Sequence, residues 1–282
     1  MRIRNEISGC VLRIVIVVLT AHSTSFAADV VATEIIAHRG ASFDAPENTL
    51  ESFRLGWDQQ ADAVELDIML SKDGRIVVIH DSSTKRLAGV DRPVVDQTFE
   101  ELRALDVGRW KDARWTGARI PQLREVLQTI PDGKRLFIEI KSGPEIIPEL
   151  KRDLTYAAKL PAQTVIIGFS AKTMEAAKKE LPHLQVYWIV DIKPKPNTSD
   201  KPWTAENLIQ TAKSAGVDGL DLSAHDSIDR EFANKVRDAG LKLAVWTVND
   251  PKLARQMIDA GVQGVTTDRP GWMREQLQIP AK

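Results

Sequence analysis

Two histidines, His38 and His80, and three carboxylates, Glu65, Asp67 and Glu139, lie far apart in the chain, yet each sits in or just after a short run of β-branched residues. Imidazole gives and takes protons near neutral pH. Three carboxylates brought together repel one another unless a cation or protonation relieves them. With oxygen donors only and no thiolate, the cation that suits such a trio is hard and divalent, Mg²⁺ or Ca²⁺. On spacing alone, a rim network in which Arg39, Lys141 and other cations neutralise the same acids is the equal alternative. A metal, an arginine and an acid/base pair are together what phosphoryl transfer requires: neutralisation of the anion, orientation, and protonation of the departing alkoxide.

These side chains cooperate only if strand ends bring them to one place. Alternate residues of a strand share a face, so Glu65 points with Asp67 and Glu139 with Lys141. From Val30 onward, short β-branched runs alternate with amphipathic stretches, which predicts repeated βα units. Eight strands are expected, over 34–40, 63–70, 135–141, 164–170, 185–191, 218–224, 242–250 and 264–268. Helical patterns cover 49–60, 145–160, 171–181, 204–215, 229–239, 251–260 and 271–278, with a further helix around 122–130, and several stop at glycine (SAGVD, DAGLK, DAGVQ). The fold class is therefore α/β, a TIM (β/α)8 barrel spanning 33–279, whose working end is the rim where strands finish. A doubly wound open sheet competes, but its phosphate loop GxGxxG is missing after the first strand.

One run, RIVVIHD at 75–81, exceeds the count. It follows the second strand after a stretch containing Asp73-Gly74, too short for a crossover, so it predicts a β-hairpin extension of strand 2. A two-residue Asp73-Gly74 turn sets Lys72 opposite Arg75 and Asp67 opposite His80; a longer loop shifts this register, but His80 returns to the rim in either case. Residues 82–120 form an insertion before strand 3 that carries Trp110 and Trp115, either a lobe over the barrel mouth or a decorative excursion. The Pro- and Lys-rich stretch 193–202 reads as an exposed loop.

The chain has 282 residues, 43% hydrophobic and 27% charged, with a net charge of −1. Such a balance predicts a globular protein and gives no reason to expect nucleic acid as a partner. Arg2, Arg4 and Arg13 flank an apolar segment from Val11 to Leu19 that is followed by Ser25-Phe26-Ala27, which predicts a cleaved signal peptide over 1–28. The apolar run is too short to span a bilayer, so no stable membrane span is expected after cleavage. Export to a periplasmic or secreted location follows, and removal of Cys10 with the leader leaves no thiol chemistry. Nothing in the sequence fixes an oligomeric state.

Taken in order, His38-Arg39-Gly40, Pro46-Glu47-Asn48-Thr49, Glu65-Leu66-Asp67, Lys72-Asp73-Gly74, His80-Asp81, Glu139-Ile140-Lys141, Trp246-Thr247-Val248-Asn249 and Thr267-Asp268-Arg269-Pro270 resemble the glycerophosphodiester phosphodiesterase family over nearly the whole chain after the leader. The resemblance implies a metal-dependent TIM-barrel hydrolase that cleaves glycerophosphodiesters such as glycerophosphocholine to glycerol 3-phosphate and an alcohol. It implies that Glu65, Asp67 and Glu139 hold the metal, that His38 and His80 serve as general base and general acid, that Arg39 grips a phosphate oxygen and that Lys141 adds positive charge. It also implies attack by the substrate's own glycerol hydroxyl, giving a cyclic phosphate that water opens. Trp246 is expected against the glycerol moiety or as core, and Phe169 fits a family position with less weight. Glu47 and Asn48 match a loop near the metal, although Asn48 could instead cap the helix starting at Thr49. Whether Asp221 and Asn249 touch ligand or only protein is open. The segment after His80-Asp81 is shorter than is usual in the family, which leaves the alcohol preference open. Two other functions remain: a phospholipase D-like hydrolase of lysophospholipids or sphingolipids, and a non-catalytic phosphodiester-binding protein.

Overall fold

The computed structural model describes residues 33–157, 161–193 and 202–280. The expected signal peptide, 1–28, and most of the loop 193–202 lie outside the described residues.

Nine strands form one sheet: β1 (Glu34–Ala37), β2 (Ala63–Leu70), β3 (Ile76–Val78), β4 (Arg135–Ile140), β5 (Thr164–Gly168), β6 (Gln185–Val190), β7 (Gly219–Ser223), β8 (Lys242–Trp246) and β9 (Gly264–Thr267). All but β3 pair in parallel, and β1 pairs with both β2 and β9, which closes an eight-stranded barrel. The helices are α1 (Leu50–Asp58), α2 (Lys85–Ala88), α3 (Phe99–Ala104), α4 (Leu123–Leu127), α5 (Ile147–Ala157), α6 (Ala171–Glu180), α7 (Ala205–Ser214), α8 (Arg230–Asp238), α9 (Pro251–Ala260) and α10 (Pro270–Leu277). The eight expected strands and the expected helices are all present. So are the glycine stops: Gly216, Gly240 and Gly261 have φ of 66°, 78° and 106°.

Strand periodicity divides the apolar residues into two layers. Leu66, Ile68, Leu136, Ile138, Leu220 and Leu222 face outward and pack with the buried faces of the helices. Ile36, Ala63, Phe137, Val165, Ile167, Tyr187 and Ile189 face inward and plug the barrel. Glu65 and Asp67 continue the inward face of Ala63, and Glu139 continues that of Phe137, so the same alternation that builds the plug delivers carboxylates above it.

The hairpin is present with a different register from the two-residue turn. Ile68 pairs with Val78 and Leu70 with Ile76, and Ser71 N donates to Arg75 O at 2.9 Å. The loop therefore holds three residues, Lys72, Asp73 and Gly74, with Gly74 at φ 73°. Ile79 N donates to Asp67 O, so Asp67 faces Ile79 and His80 stands one place beyond. A left-handed glycine at the third loop position favours this three-residue hairpin over the two-residue one.

The 82–120 insertion is a packed lobe. Leu87, Val94, Phe99, Leu102, Val107 and Ile120 form their own buried cluster with Met69, Val77 and Ile79 of the hairpin. It reaches the barrel mouth through Arg86, which donates to both carboxylate oxygens of Glu47 at 2.8 Å, and through Lys111, which donates to Ser42 O at 2.8 Å.

Candidate active site

The turn leaving β1 sets the geometry. Arg39 and Asn48 both adopt left-handed backbone, with φ of 53° and 57°, where non-glycine residues are uncommon. Asn48 N donates to Arg39 O at 3.1 Å, which locks the two bends together. Gly40, which follows Arg39, also has positive φ, and a Cβ there would meet the Ser52 backbone at 2.6 Å. Arg39 N thereby donates to Glu65 Oε2 at 2.8 Å. The Asn48 side chain both donates to Asp67 Oδ2 at 2.8 Å and accepts from Asp67 N at 3.2 Å. The alternative role for Asn48 is corrected: the cap of α1 is Thr49, whose hydroxyl accepts from Ser52 N, and Asn48 is free to clamp Asp67.

Parallel pairing of β2 with β4 puts Asp67 level with Glu139. One ligand atom from each of Glu65, Asp67 and Glu139 lies within 4.8 Å of the other two, and all three residues are buried. Arg39 Nε stands 3.2 Å from Asp67 Oδ2. Lys141 Nζ stands 2.7 Å from Glu139 Oε1 and 3.6 Å from Asp67 Oδ1. These contacts leave Asp67 Oδ1 buried without a hydrogen-bond partner, while Glu139 Oε1 has only the Lys141 ammonium against it. Two cations against three carboxylates leave a negative surplus. An all-oxygen cluster with orphaned lone pairs fits a hard divalent ion, and a pure salt-bridge network does not account for it.

The electrostatics follow the same imbalance. Burial, then the charges of Asp67 and Glu139, push Glu65 well above the ordinary carboxylate range. Burial and the Asp67 charge raise Glu139 to about 7. For Asp67 burial acts upward, but Arg39, Lys141 and His80, with the Asn48 hydrogen bond, outweigh it and hold the group below its usual value. Asp67 is therefore the member that stays ionised.

Each histidine is backed by a carboxylate. His80 Nδ1 lies 2.7 Å from Asp81 Oδ1, and Asp81 Oδ2 accepts from Arg86 Nε at 2.7 Å. His38 Nδ1 lies 2.6 Å from Asp268 Oδ1. Asp268 also accepts from Ser42 Oγ at 2.9 Å and from Asn249 Nδ2 at 2.6 Å. These donors overcome burial and hold Asp268 down to about 2. A carboxylate on Nδ1 fixes the ring and leaves Nε2 for proton exchange. His80 is pushed below the ordinary imidazole value, first by burial, with Arg39 and Lys141 acting the same way and Asp67 and Asp81 opposing.

Trp246, at the end of β8, stands edge-on to Phe169 at 5.5 Å between ring centroids. Lys141 Nζ lies 5.6 Å from the Phe169 ring, so the aromatic pair adjoins the cationic side of the carboxylate cluster. Trp246 is thus part of the mouth, with its indole N–H donating to Asp221 O at 3.1 Å. All eight residues singled out from sequence meet at one end of the barrel. Sequence reasoning left Asp268 and Asp81 without roles, although both stood in quoted motifs, Thr267-Asp268-Arg269-Pro270 and His80-Asp81. Asn249 touches protein, holding Asp268. Asp221 is buried in the barrel with Oδ1 unpartnered, and burial together with the Glu139 charge raises it to about 8.

Comparison with known proteins bears on this constellation. The sequence pattern of the glycerophosphoryl diester phosphodiesterase family matches residues 38–272. A glycerophosphodiester phosphodiesterase of Caldanaerobacter subterraneus is 34% identical over 245 residues, covering 84% of this chain and 95% of that protein. Among solved structures, a phosphodiesterase of Oleispira antarctica in complex with the product sn-glycerol-3-phosphate superposes with a TM-score of 0.77 at 27% identity, over 88% of this chain and 97% of that one. A glycerophosphodiester phosphodiesterase of Thermotoga maritima superposes with a TM-score of 0.68 at 26% identity, over 86% of this chain and 97% of that one.

Proposed function

Because the chain belongs to the glycerophosphoryl diester phosphodiesterase family, we propose that it hydrolyses glycerophosphodiesters to glycerol 3-phosphate and an alcohol, using a divalent cation, Mg²⁺ or Ca²⁺, held by Glu65, Asp67 and Glu139. The observation that carries this reading is the meeting of those three ligand atoms within 4.8 Å beside two carboxylate-backed imidazoles. The bound ion would supply charge neutralisation for the phosphoryl oxygens. Arg39, braced by Glu47 at 2.8 Å, grips a phosphate oxygen, and Lys141 adds a second positive charge. The glycerol moiety packs against Trp246, with Phe169 as its edge-on support.

The division of labour between the histidines follows from charge. His80, pushed toward its neutral form, rests as the proton acceptor and takes the proton of the attacking glycerol hydroxyl. His38, whose Nδ1 lies 2.6 Å from Asp268 Oδ1, takes the complementary role and delivers a proton from Nε2 to the departing oxygen. This assignment exchanges the base and acid roles that the resemblance alone implies. An intramolecular hydroxyl needs no second reactant to be captured, which supports cyclisation followed by opening with water.

Two proton-transfer imidazoles, each held by its own carboxylate, favour turnover over passive capture of phosphodiesters. The test is release of glycerol 3-phosphate from glycerophosphodiesters. Activity is expected to vanish with a chelator, return with Mg²⁺ or Ca²⁺, and fall about a hundredfold or more in Glu139→Gln. Turnover that survives both chelation and that substitution, or a higher catalytic efficiency on lysophosphatidylcholine than on any glycerophosphodiester, overturns the reading.

A further inference from the structure

The alcohol that leaves must depart past the imidazole that protonates it, and the wall between the two histidines has a distinct chemistry. From His80 the contacts run through Asp81 to Arg86, whose guanidinium lies 5.7 Å from the Trp110 ring. Lys111 Nζ lies 5.8 Å from Trp110 and 5.8 Å from Phe43. The Arg269 guanidinium lies 4.2 Å from Phe43, and Phe43 N donates to the backbone oxygen of Asp268, the residue that holds His38. The arc therefore joins one histidine to the other.

Trp110 and Phe43 are exposed, at 42% and 53%, so they are open to a ligand. Their faces are not. Each already carries two cations, and neither Lys111 nor Arg269 has a carboxylate within ion-pair distance among the described residues. A quaternary ammonium is recognised by aromatic faces free to receive it. Here it would meet two unneutralised positive charges instead, whereas hydroxyl groups or an anion would find donors.

We propose that the site selects glycerophosphodiesters whose alcohol carries no positive charge, an uncharged polyol or an anionic alcohol, over those of choline or ethanolamine, through Lys111 and Arg269 on the Phe43–Trp110 arc. This rests on the phosphodiesterase reading and adds the class of leaving alcohol. An unneutralised charge within a few ångströms of a bound cation, in partly screened surroundings, costs about tenfold or more in catalytic efficiency.

The experiment compares kcat/KM for glycerophosphoglycerol and glycerophosphocholine, at low and high ionic strength, in the wild type and in the double variant Lys111→Gln/Arg269→Gln. The wild type is expected to favour glycerophosphoglycerol by about tenfold at low salt, with the ratio shrinking as salt screens the cations. The double variant is expected to narrow the ratio about threefold or more, chiefly by gaining on the choline diester. Equal or greater efficiency on glycerophosphocholine overturns the proposal. So does a preference that neither salt nor the double variant alters, a result the wild-type salt series delivers even if the variant misfolds. Absence of glycerol 3-phosphate from both diesters instead strikes the activity itself, and the selectivity falls with it.

Discussion

His38 and Asp268 are separated by 230 positions yet lie 2.6 Å apart, and that contact is where residue-level reasoning from sequence stops. The histidines and the metal-type carboxylates are legible because imidazole and clustered acids have few uses at the ends of buried strands. Asp268 is not, because an aspartate after a strand also caps helices and turns, and only closure of β9 against β1 brings it to His38. Its function as a positioning residue predicts that Asp268→Asn lowers kcat by about a hundredfold or more while KM changes little, since the amide cannot hold the imidazole in its proton-donating form. Comparing kcat with KM across pH supplies the sharper readout, because a positioning role lowers the first and leaves the second unchanged. A uniform loss across pH with a raised KM would mean that Asp268 serves packing instead. Asn48 makes a similar point, because its polar side chain suits a cap in sequence and a clamp on Asp67 in space.

At the level of elements, the strands and long helices follow from periodicity, and the misjudged feature is a turn. Asp-Gly signals a tight hairpin, but the loop uses three residues, which moves His80 one place past Asp67. Register in a hairpin is set by loop length, and the apolar run Ile76–Ile79, buried along its whole length, carries no alternation that could choose between the two registers. The strain of the bend after β1 was not legible either. Gly40 has φ 82°, and an added Cβ would press on Ser52 main-chain atoms at 2.6 Å. We expect Gly40→Ala to destabilise the protein by about 2–4 kcal/mol, from backbone strain and overpacking together, as measured by denaturant unfolding. Catalytic loss is expected to accompany it, because Arg39 on the same bend would shift from Glu65 and Asp67. Near-native stability in that variant would show that the bend relaxes freely.

For the whole molecule, one barrel end concentrates groups whose protonation the fold has displaced. Glu65 is raised well above the ordinary range, Glu139 to about 7 and Asp221 to about 8. A carboxyl raised in the folded state contributes stability below its unfolded value, and that contribution is lost as pH climbs through the folded value. The lowered groups Asp67, Asp81 and Asp268 are ionised in both states above about pH 5 and so do not alter the slope there. His80, lowered in the folded state, opposes it only up to the ordinary imidazole value. The metal-free protein is therefore expected to melt at a lower temperature at pH 8 than at pH 5.5. Added Mg²⁺ or Ca²⁺ should restore stability increasingly over the same window, because the ion binds the ionised oxygens. Thermal scans with chelator or metal at the two pH values check this, and a metal-free melting temperature that rises toward pH 8 would refute it.

The segment 82–120 keeps its apolar side chains among themselves and the outer hairpin, touching the barrel mouth through a few long basic side chains. The apolar packing of that cap is thereby separate from the carboxylate cluster, and Arg86, paired with Asp81 and Glu47, ties the cap to the groups around it. Apolar residues of the cap can therefore be exchanged for others of similar volume without touching the carboxylates, whereas replacing Arg86 would loosen both Asp81 and Glu47.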